Sequence, residues 1–214
     1  MHVQKIFWDD PYLCELAAKV TSAAGSTVTL DKTIAFAFAG GQESDHGTIN
    51  GFDILQAEKQ DKQILYTLAE SHGLRVGDTV ELKIDWQRRY KIMRLHFAAE
   101  IILELMYQHF GNPEKIGAHI SEDKARVDFL WQGNISQAFA ALKQESARLI
   151  AADLPIISSF HDQTNEIRYW EIAGFGKVCC GGTHIRTTGE IGDLILKRNN
   201  IGKGKERIEI TLAG

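Results

Sequence analysis

The sequence predicts an α+β fold in two parts, a small N-terminal β-barrel domain over residues 1–85 and an α+β domain over residues 86–214. Three observations lead to this prediction. Short alternating segments punctuated by glycine fill the first part. One long apolar segment of helical character follows Asp85. Further strand-like segments, mixed with a second and amphipathic helix, complete the chain.

Several segments of the first part read as strands because apolar and β-branched residues alternate with polar ones. STVTLDKTIAFAFA (26–39) is one such segment, and PYLCELAAKVTSA (11–23) adds another. FDILQAEKQDKQILYTL (52–68) predicts two strands joined by a polar turn. DTVELKID (78–85) directs Val80, Leu82 and Ile84 to one face. Glycines between these segments supply the turns of a small barrel.

The second part opens with a helix for which Asp85 is the expected N-cap and Gly111 the expected stop. It is so apolar after Leu95 that most of its faces must be buried. Strands are predicted over 118–131, 166–175 and in the two closing segments GDLILKRN and ERIEITLA. A second, amphipathic helix is predicted over 134–153.

Composition limits the class of protein. The chain has 214 residues, of which 44% are hydrophobic and 24% are charged, as is usual for a soluble globular protein. It has no apolar run of the ~20 residues that span a bilayer, and the N-terminus lacks a signal-peptide core. We therefore expect a cytoplasmic protein. Three cysteines cannot build a disulfide framework, and a net charge of −4 does not exclude nucleic acid, because binding needs only a local basic patch.

Two pairs of residues suggest a metal site. His96 and Glu100 lie four apart on the predicted helix and so share a face. In CCGGTH, Cys180 and His184 lie four apart across two glycines that allow a tight turn. Each pair alone has an ordinary alternative, such as a solvent-facing carboxylate or a buried structural cysteine. Together they offer sulfur, nitrogen and oxygen donors, which Zn²⁺ takes in tetrahedral geometry.

Four segments that span nearly the whole chain resemble the AlaX family, the free-standing homologues of the alanyl-tRNA synthetase editing domain. AGGQESDHGTI (39–49) resembles the family's glycine-rich motif GGGQPxDxGxI, and DWQRRYKIMRLHFAAE (85–100) resembles the segment that carries HxxxH. ISEDKARVDF (120–129) resembles the following strand. CGGTHIRTTGEIGDLILKRNNIGKGKERIEI (180–210) resembles the CxxxH motif and the C-terminal strands. The presence of both domains, and an end at Gly214 that leaves no room for a further one, resembles the medium-length class.

The resemblance implies an editing domain like that of threonyl- and alanyl-tRNA synthetases. It also implies zinc-dependent hydrolysis of mischarged aminoacyl-tRNA(Ala), with Ser-tRNA(Ala) as the first expected substrate and Gly-tRNA(Ala) as a second. Such an activity is needed because a synthetase pocket rejects a near-isostere with an added hydroxyl only weakly. The partner would be the tRNA(Ala) acceptor end. The alternative is a catalytically inactive RNA- or partner-binding homologue, and the oligomeric state stays open.

The chain departs from the family pattern at Glu100, where the family has a second histidine, at Phe97, where it has threonine, and at Ala39, where it has glycine. His96, Cys180 and His184 are retained at the other metal positions. Glu100 has two possible roles, as a fourth metal ligand or as a general base beside a three-ligand site. Loss of activity is a third possibility.

The remaining candidates surround these positions. The backbone amides of Gly181 and Gly182 are candidate oxyanion donors, although a tight turn alone would also require glycine. Thr183 is a candidate contact for the hydroxyl of a substrate serine, with a turn-capping role as its alternative. Cys179 is expected to be buried and to point away from Cys180.

Two further groups concern the substrate. Gln42 and Asp45 lie in the glycine-rich loop, which the resemblance puts beside the editing pocket, and an Asx-type turn is the alternative. Lys203 and Lys205 lie in a basic, glycine-containing loop and are candidate contacts for tRNA phosphates. A solvated surface loop is the alternative for these two lysines.

Overall fold

The computed structural model describes residues 2–213 and has a mixed α+β architecture. Its chain divides into two compact units. Unit 1 contains Met1–Ala39 and Glu43–Tyr90, and unit 2 contains Gly40–Gln42 and Lys91–Gly214. The predicted domain boundary between residues 85 and 86 stays a prediction.

Strands are the main regular secondary structure of unit 1. Its strands are β1 (Gln4–Lys5), β2 (Glu15–Ala24), β3 (Thr27–Leu30), β4 (Lys32–Thr33), β5 (Gly47–Ile49), β6 (Phe52–Asp53), β7 (Gln56–Gln60), β8 (Gln63–Thr67) and β9 (Thr79–Ile84). Seven of them form one antiparallel sheet in the order β6-β5-β9-β2-β3-β8-β7. The short strands β1 and β4 pair in parallel.

The central strand β2 bends the sheet of unit 1. Its first half pairs with β9 and its second half with β3, and the register shifts between Val20 and Ser22. Such an irregularity turns a strand and increases its twist. Within residues 2–213, no ladder joins the edge strands β6 and β7, so the closed N-terminal barrel stays a prediction.

The core of unit 1 follows from the alternation in the sequence. Val80, Leu82 and Ile84 are all buried, as predicted for β9, and they pack in one cluster with residues such as Leu30 and Tyr66. The predicted strand over 26–39 is only partly right. Regular pairing stops after β4, and residues 34–37 are buried without belonging to a sheet.

Unit 2 contains two sheets and most of a long helix. The helices are α1 (Trp86–His109), whose first turn belongs to unit 1, and α2 (Phe139–Ala151). The strands are β10 (Lys115–Ile120), β11 (Ala125–Leu130), β12 (Ile157–Asp162), β13 (Ile167–Ile172), β14 (Gly176–Cys179), β15 (Leu194–Gly202) and β16 (Lys205–Leu212). One antiparallel sheet has the order β10-β11-β16-β15 and the other the order β12-β13-β14.

Helix α1 begins and ends where the sequence predicts. The Asp85 Oδ1 accepts a hydrogen bond from the Arg88 backbone N–H at 3.1 Å, which is the geometry of an N-cap. Residues on every face of the helix are buried, among them Ile92, Phe97 and Ile102. No helix in the described part of the chain is both long enough and apolar enough to cross a bilayer.

The glycine-rich segment 40–42 lies against strand β10. The Ile120 N–H donates to the Gly41 carbonyl at 2.8 Å. A Cβ on Gly41 would lie 2.7 Å from the Ala118 carbonyl oxygen, and Gly41 has a φ of +90°. Both facts require glycine here, and they explain how Gln42 is held beside the second unit's core.

Candidate metal centre

Helix α1 carries one half of the centre. His96 and Glu100 lie one turn apart, and the His96 Nε2 is 3.3 Å from the Glu100 Oε1. His96 is buried and Glu100 is nearly so. Two titratable groups thus face each other in an apolar stretch of helix, where each needs a partner for its charge.

The turn that follows β14 carries the other half. The Cys180 N–H donates to the Arg168 carbonyl on β13 at 2.9 Å. The Arg168 guanidinium, itself buried, donates to the Gly182 carbonyl at 3.5 Å. These contacts fix the path of the turn, so that Cys180 and His184 point to the same side.

The two halves meet, and the donor atoms of His96, Cys180 and His184 lie within 4.8 Å of one another. The Cys180 Sγ is 3.4 Å from the His96 Nε2 and 3.3 Å from the His184 Nε2. Tetrahedral zinc, with Zn–S near 2.3 Å and Zn–N near 2.05 Å, puts a sulfur and a nitrogen ligand about 3.5 Å apart. The chemistry and the spacing of this donor set therefore fit zinc.

Glu100 lies outside this group of three. One carboxylate oxygen faces His96, and the other accepts a hydrogen bond from the Trp170 indole N–H at 3.0 Å. A zinc ion held by these three residues would keep one tetrahedral position for a further ligand, as catalytic rather than structural zinc sites do. The two roles considered for Glu100, ligand and base, both stay proposals.

The charges of the centre favour a cation. Burial alone would lower the pKa of His96, but the negative charges of Cys180 and Glu100 beside it raise that pKa to about 10. Burial would raise the pKa of Glu100, but His96 and the Trp170 N–H lower it to about 2. Burial and the charge of His96 hold the pKa of His184 well below its usual range, so His184 is neutral and able to ligate.

Gly182 leaves room for the ring of His96, one of the candidate metal ligands. A Cβ at this position would lie 2.1 Å from the His96 Cε1 and 2.6 Å from the Gln42 Oε1. Any larger residue would have to displace the His96 ring. At Gly181 a Cβ would meet nothing within 4 Å, so the two neighbouring glycines differ in what they require.

Gln42 and Thr183 bond to each other. The Gln42 Nε2 donates to the Thr183 Oγ1 at 2.9 Å, and the Thr183 N–H donates to the Gln42 Oε1 at 3.2 Å. Each residue is only 1% exposed. This pair ties segment 40–42 to the ligand turn, and the predicted contacts of both residues with substrate stay predictions.

Asp45 belongs to unit 1 and is buried in an ion pair with Arg89. The Arg89 Nε donates to the Asp45 Oδ1 at 2.7 Å, and the Phe36 N–H donates to the Oδ2 at 2.6 Å. Further carbonyls, of Pro11 and Ile34, accept from the same guanidinium. Both carboxylate oxygens are thus engaged within unit 1, so the geometry gives Asp45 a structural role, and its contact with substrate stays a prediction.

Lys203 and Lys205 are exposed at the hairpin between β15 and β16. Two other basic residues of this hairpin are bound internally, because Arg198 pairs with Glu206 and Arg207 pairs with Asp128. Lys203 and Lys205 instead project into solvent. Their contact with phosphate stays a prediction.

The sequence interpretation missed residues around the ligands. The Ser158 Oγ lies 2.8 Å from the His184 Nδ1, although strand β12 was not predicted. The Trp170 indole N–H donates to Glu100, a contact that the sequence analysis did not predict. The expectation that Cys179 is buried is wrong, because Cys179 is exposed on the outer face of β14. A lone serine or tryptophan has no motif that would have indicated these roles.

Comparison with known proteins places the chain among tRNA-editing proteins. Residues 167–209 match the threonyl and alanyl tRNA synthetase second additional domain. The chain is 32% identical to the alanyl-tRNA editing protein AlaX-M of Pyrococcus horikoshii, covering 98% of this chain and 97% of the relative. It is 31% identical to AlaX-M of Methanosarcina barkeri, covering 98% of each chain. An alanine–tRNA ligase of Methanococcus maripaludis is 28% identical over 95% of this chain but only 25% of the ligase.

Proposed function

Because this chain belongs to the AlaX-M family of alanyl-tRNA editing proteins, we propose that it hydrolyses mischarged aminoacyl-tRNA(Ala) at a zinc site. The expected substrates are Ser-tRNA(Ala) and, second, Gly-tRNA(Ala). Water cleaves the ester between the amino acid and the terminal ribose, which yields the free amino acid and tRNA(Ala). In the same proposal, unit 1 is the barrel domain and unit 2 is the editing domain.

The observation that carries this proposal is the cluster of Cys180, His96 and His184. In a family of editing proteins, a half-buried thiol between two buried imidazoles, each 3.3–3.4 Å from the sulfur, supports a metal-binding role over a purely structural one. When bound there, zinc would supply Lewis acidity and lower the pKa of a coordinated water to about 7. An aminoacyl ester is already activated, so a zinc-bound water of this pKa would be a strong enough nucleophile to hydrolyse it.

Glu100 is proposed to accept a proton from the attacking water. Its position outside the three-ligand group and its bond to Trp170 support this role over that of a fourth ligand. The low pKa of Glu100 belongs to the metal-free protein, in which His96 carries a proton.

The turn that follows β14 and carries Cys180 and His184 is proposed to bind the reacting carbonyl of the ester. The backbone N–H groups of Gly181 and Gly182 would donate to the negative charge that develops on the ester oxygen. The open space above Gly181 supports access for the substrate. Gln42 and Thr183 would hold this turn in place, and Lys203 and Lys205 would contact phosphates of the acceptor end.

Deacylation of Ser-, Gly- and Ala-tRNA(Ala), measured side by side, tests the proposal. We expect hydrolysis of Ser-tRNA(Ala) at a rate well above that of Ala-tRNA(Ala). The Cys180→Ala variant should lose zinc and activity together, while Cys179→Ala, which alters an exposed neighbouring thiol, should keep both. Absence of hydrolysis of all three substrates would overturn the proposal, and a protein that also fails to bind zinc would support the non-catalytic binding alternative.

A further inference from the structure

We propose that Ser158 is a positioning residue that orients His184 for metal binding. This inference rests on the proposed zinc site. The Ser158 Oγ lies 2.8 Å from the His184 Nδ1, on the side of the ring opposite the Nε2 that faces Cys180. An imidazole that ligates through Nε2 carries its proton on Nδ1, and that N–H needs an acceptor. The serine hydroxyl provides one.

The two candidate imidazole ligands are held by different means. Among the described residues, the His96 Nδ1 has no hydrogen-bond partner. Its ring is confined instead by the backbone at Gly182. His184 has its far nitrogen bonded to Ser158, and Phe97 packs against its ring edge-on at a centroid distance of 5.5 Å. A hydrogen bond therefore orients the far ring nitrogen of His184, whereas none does so for His96 among the described residues.

Strand β12 supplies Ser158 as part of a continuous face. Ser158 pairs directly opposite Trp170 on β13, and Trp170 pairs with Val178 on β14. Residues opposite one another in a sheet point to the same side. Trp170 bonds to Glu100 from that side, and Cys180 follows two residues after Val178. One face of this three-stranded sheet thus contacts His184 through Ser158 and Glu100 through Trp170, and the strand β14 leads into Cys180.

Ser158 is exposed although His184 is buried, so the hydroxyl lies at the rim of the centre. In a variant without the hydroxyl, a water can take part of its place. Removing a partner that orients a metal-binding histidine typically lowers metal affinity about 10- to 100-fold. We expect an effect near the lower end, about tenfold.

The experiment compares Ser158→Ala, Ser158→Thr and Ser159→Ala in the full-length protein. Ser159 is the matched control, because it is adjacent on β12 and faces the other side of the sheet. Zinc affinity is measured by chelator competition, the spectrum of the Co²⁺-substituted protein reports ligand geometry, and thermal melting of the metal-free protein reports stability.

We expect Ser158→Ala to weaken zinc binding about tenfold and to alter the Co²⁺ spectrum, with an unchanged melting temperature of the metal-free protein. Ser158→Thr, which keeps the hydroxyl, and Ser159→Ala should resemble the wild type. If Ser158→Ala binds zinc as tightly as Ser159→Ala, the positioning role is overturned while the zinc site stands. If the wild-type protein binds no zinc, the proposed function and this inference both fail.

Discussion

Substitution of Gly182 by alanine separates the metal centre from an ordinary tight turn. The new Cβ would lie 2.1 Å from the His96 Cε1, and a tolerable separation is at least 3.0 Å, so the ring must move by about 0.9 Å. Ligand distances in a zinc site tolerate only about 0.2 Å. Gly182 does not need a left-handed backbone, so the effect comes from the crowding of the His96 ring and of the Gln42 side chain, whose Oε1 would lie 2.6 Å from the new Cβ.

We expect Gly182→Ala to weaken zinc binding by roughly 100-fold, in line with the effect of a ~1 Å misplacement at a functional site. Overpacking should also lower the free energy of unfolding by about 1–3 kcal/mol. Zinc content after dialysis, chelator competition and thermal melting measure these effects. Gly181→Ala is the matched control, because its Cβ would meet nothing within 4 Å. Equal zinc affinity of the two variants would refute the reasoning.

Three other predictions follow from the same structure. Glu100→Gln should lower the deacylation rate by at least about 100-fold while zinc affinity stays near that of the wild type, and loss of zinc in this variant would make Glu100 a ligand. Asp45→Ala should destabilise the protein by about 3–5 kcal/mol because it leaves the Arg89 guanidinium buried without its counter-charge, and a raised KM with unchanged stability would instead indicate substrate contact. Zinc affinity should rise about tenfold per pH unit between about pH 6 and pH 8, since zinc must displace the proton that His96 and Cys180 hold between them. An affinity that is flat with pH would show that this pair holds no such proton.

Local patterns explain what could be predicted from the sequence. The N-cap of helix α1 at Asp85 and its buried faces depend only on Asp85 and the 24 consecutive residues of the helix. The hairpin of β7 and β8 and the strand β9 follow from alternation and a polar turn. The spacing of His96 and Glu100 within a helix, and of Cys180 and His184 across two glycines, likewise depends on nearby residues only.

Non-local contacts explain which features could not be predicted from the sequence. Strand β12 (ISSFHD) is mostly polar and half-exposed, and β14 has only four residues, so neither shows a clear period. Both exist because they pair with β13. Since Ser158 lies on β12, its contact with His184 could not be predicted without first predicting that strand. The burial of Asp45 depends on Arg89, which is 44 residues away.

X-ray absorption at the zinc edge of the purified, zinc-loaded protein tests the central claim most directly. His96, Cys180 and His184 predict a first shell with one sulfur at about 2.3 Å and nitrogen or oxygen neighbours at about 2.0–2.1 Å. The Cys180→Ala variant should lose the sulfur signal. A first shell without sulfur in the wild-type protein, or one unchanged in that variant, would contradict the account.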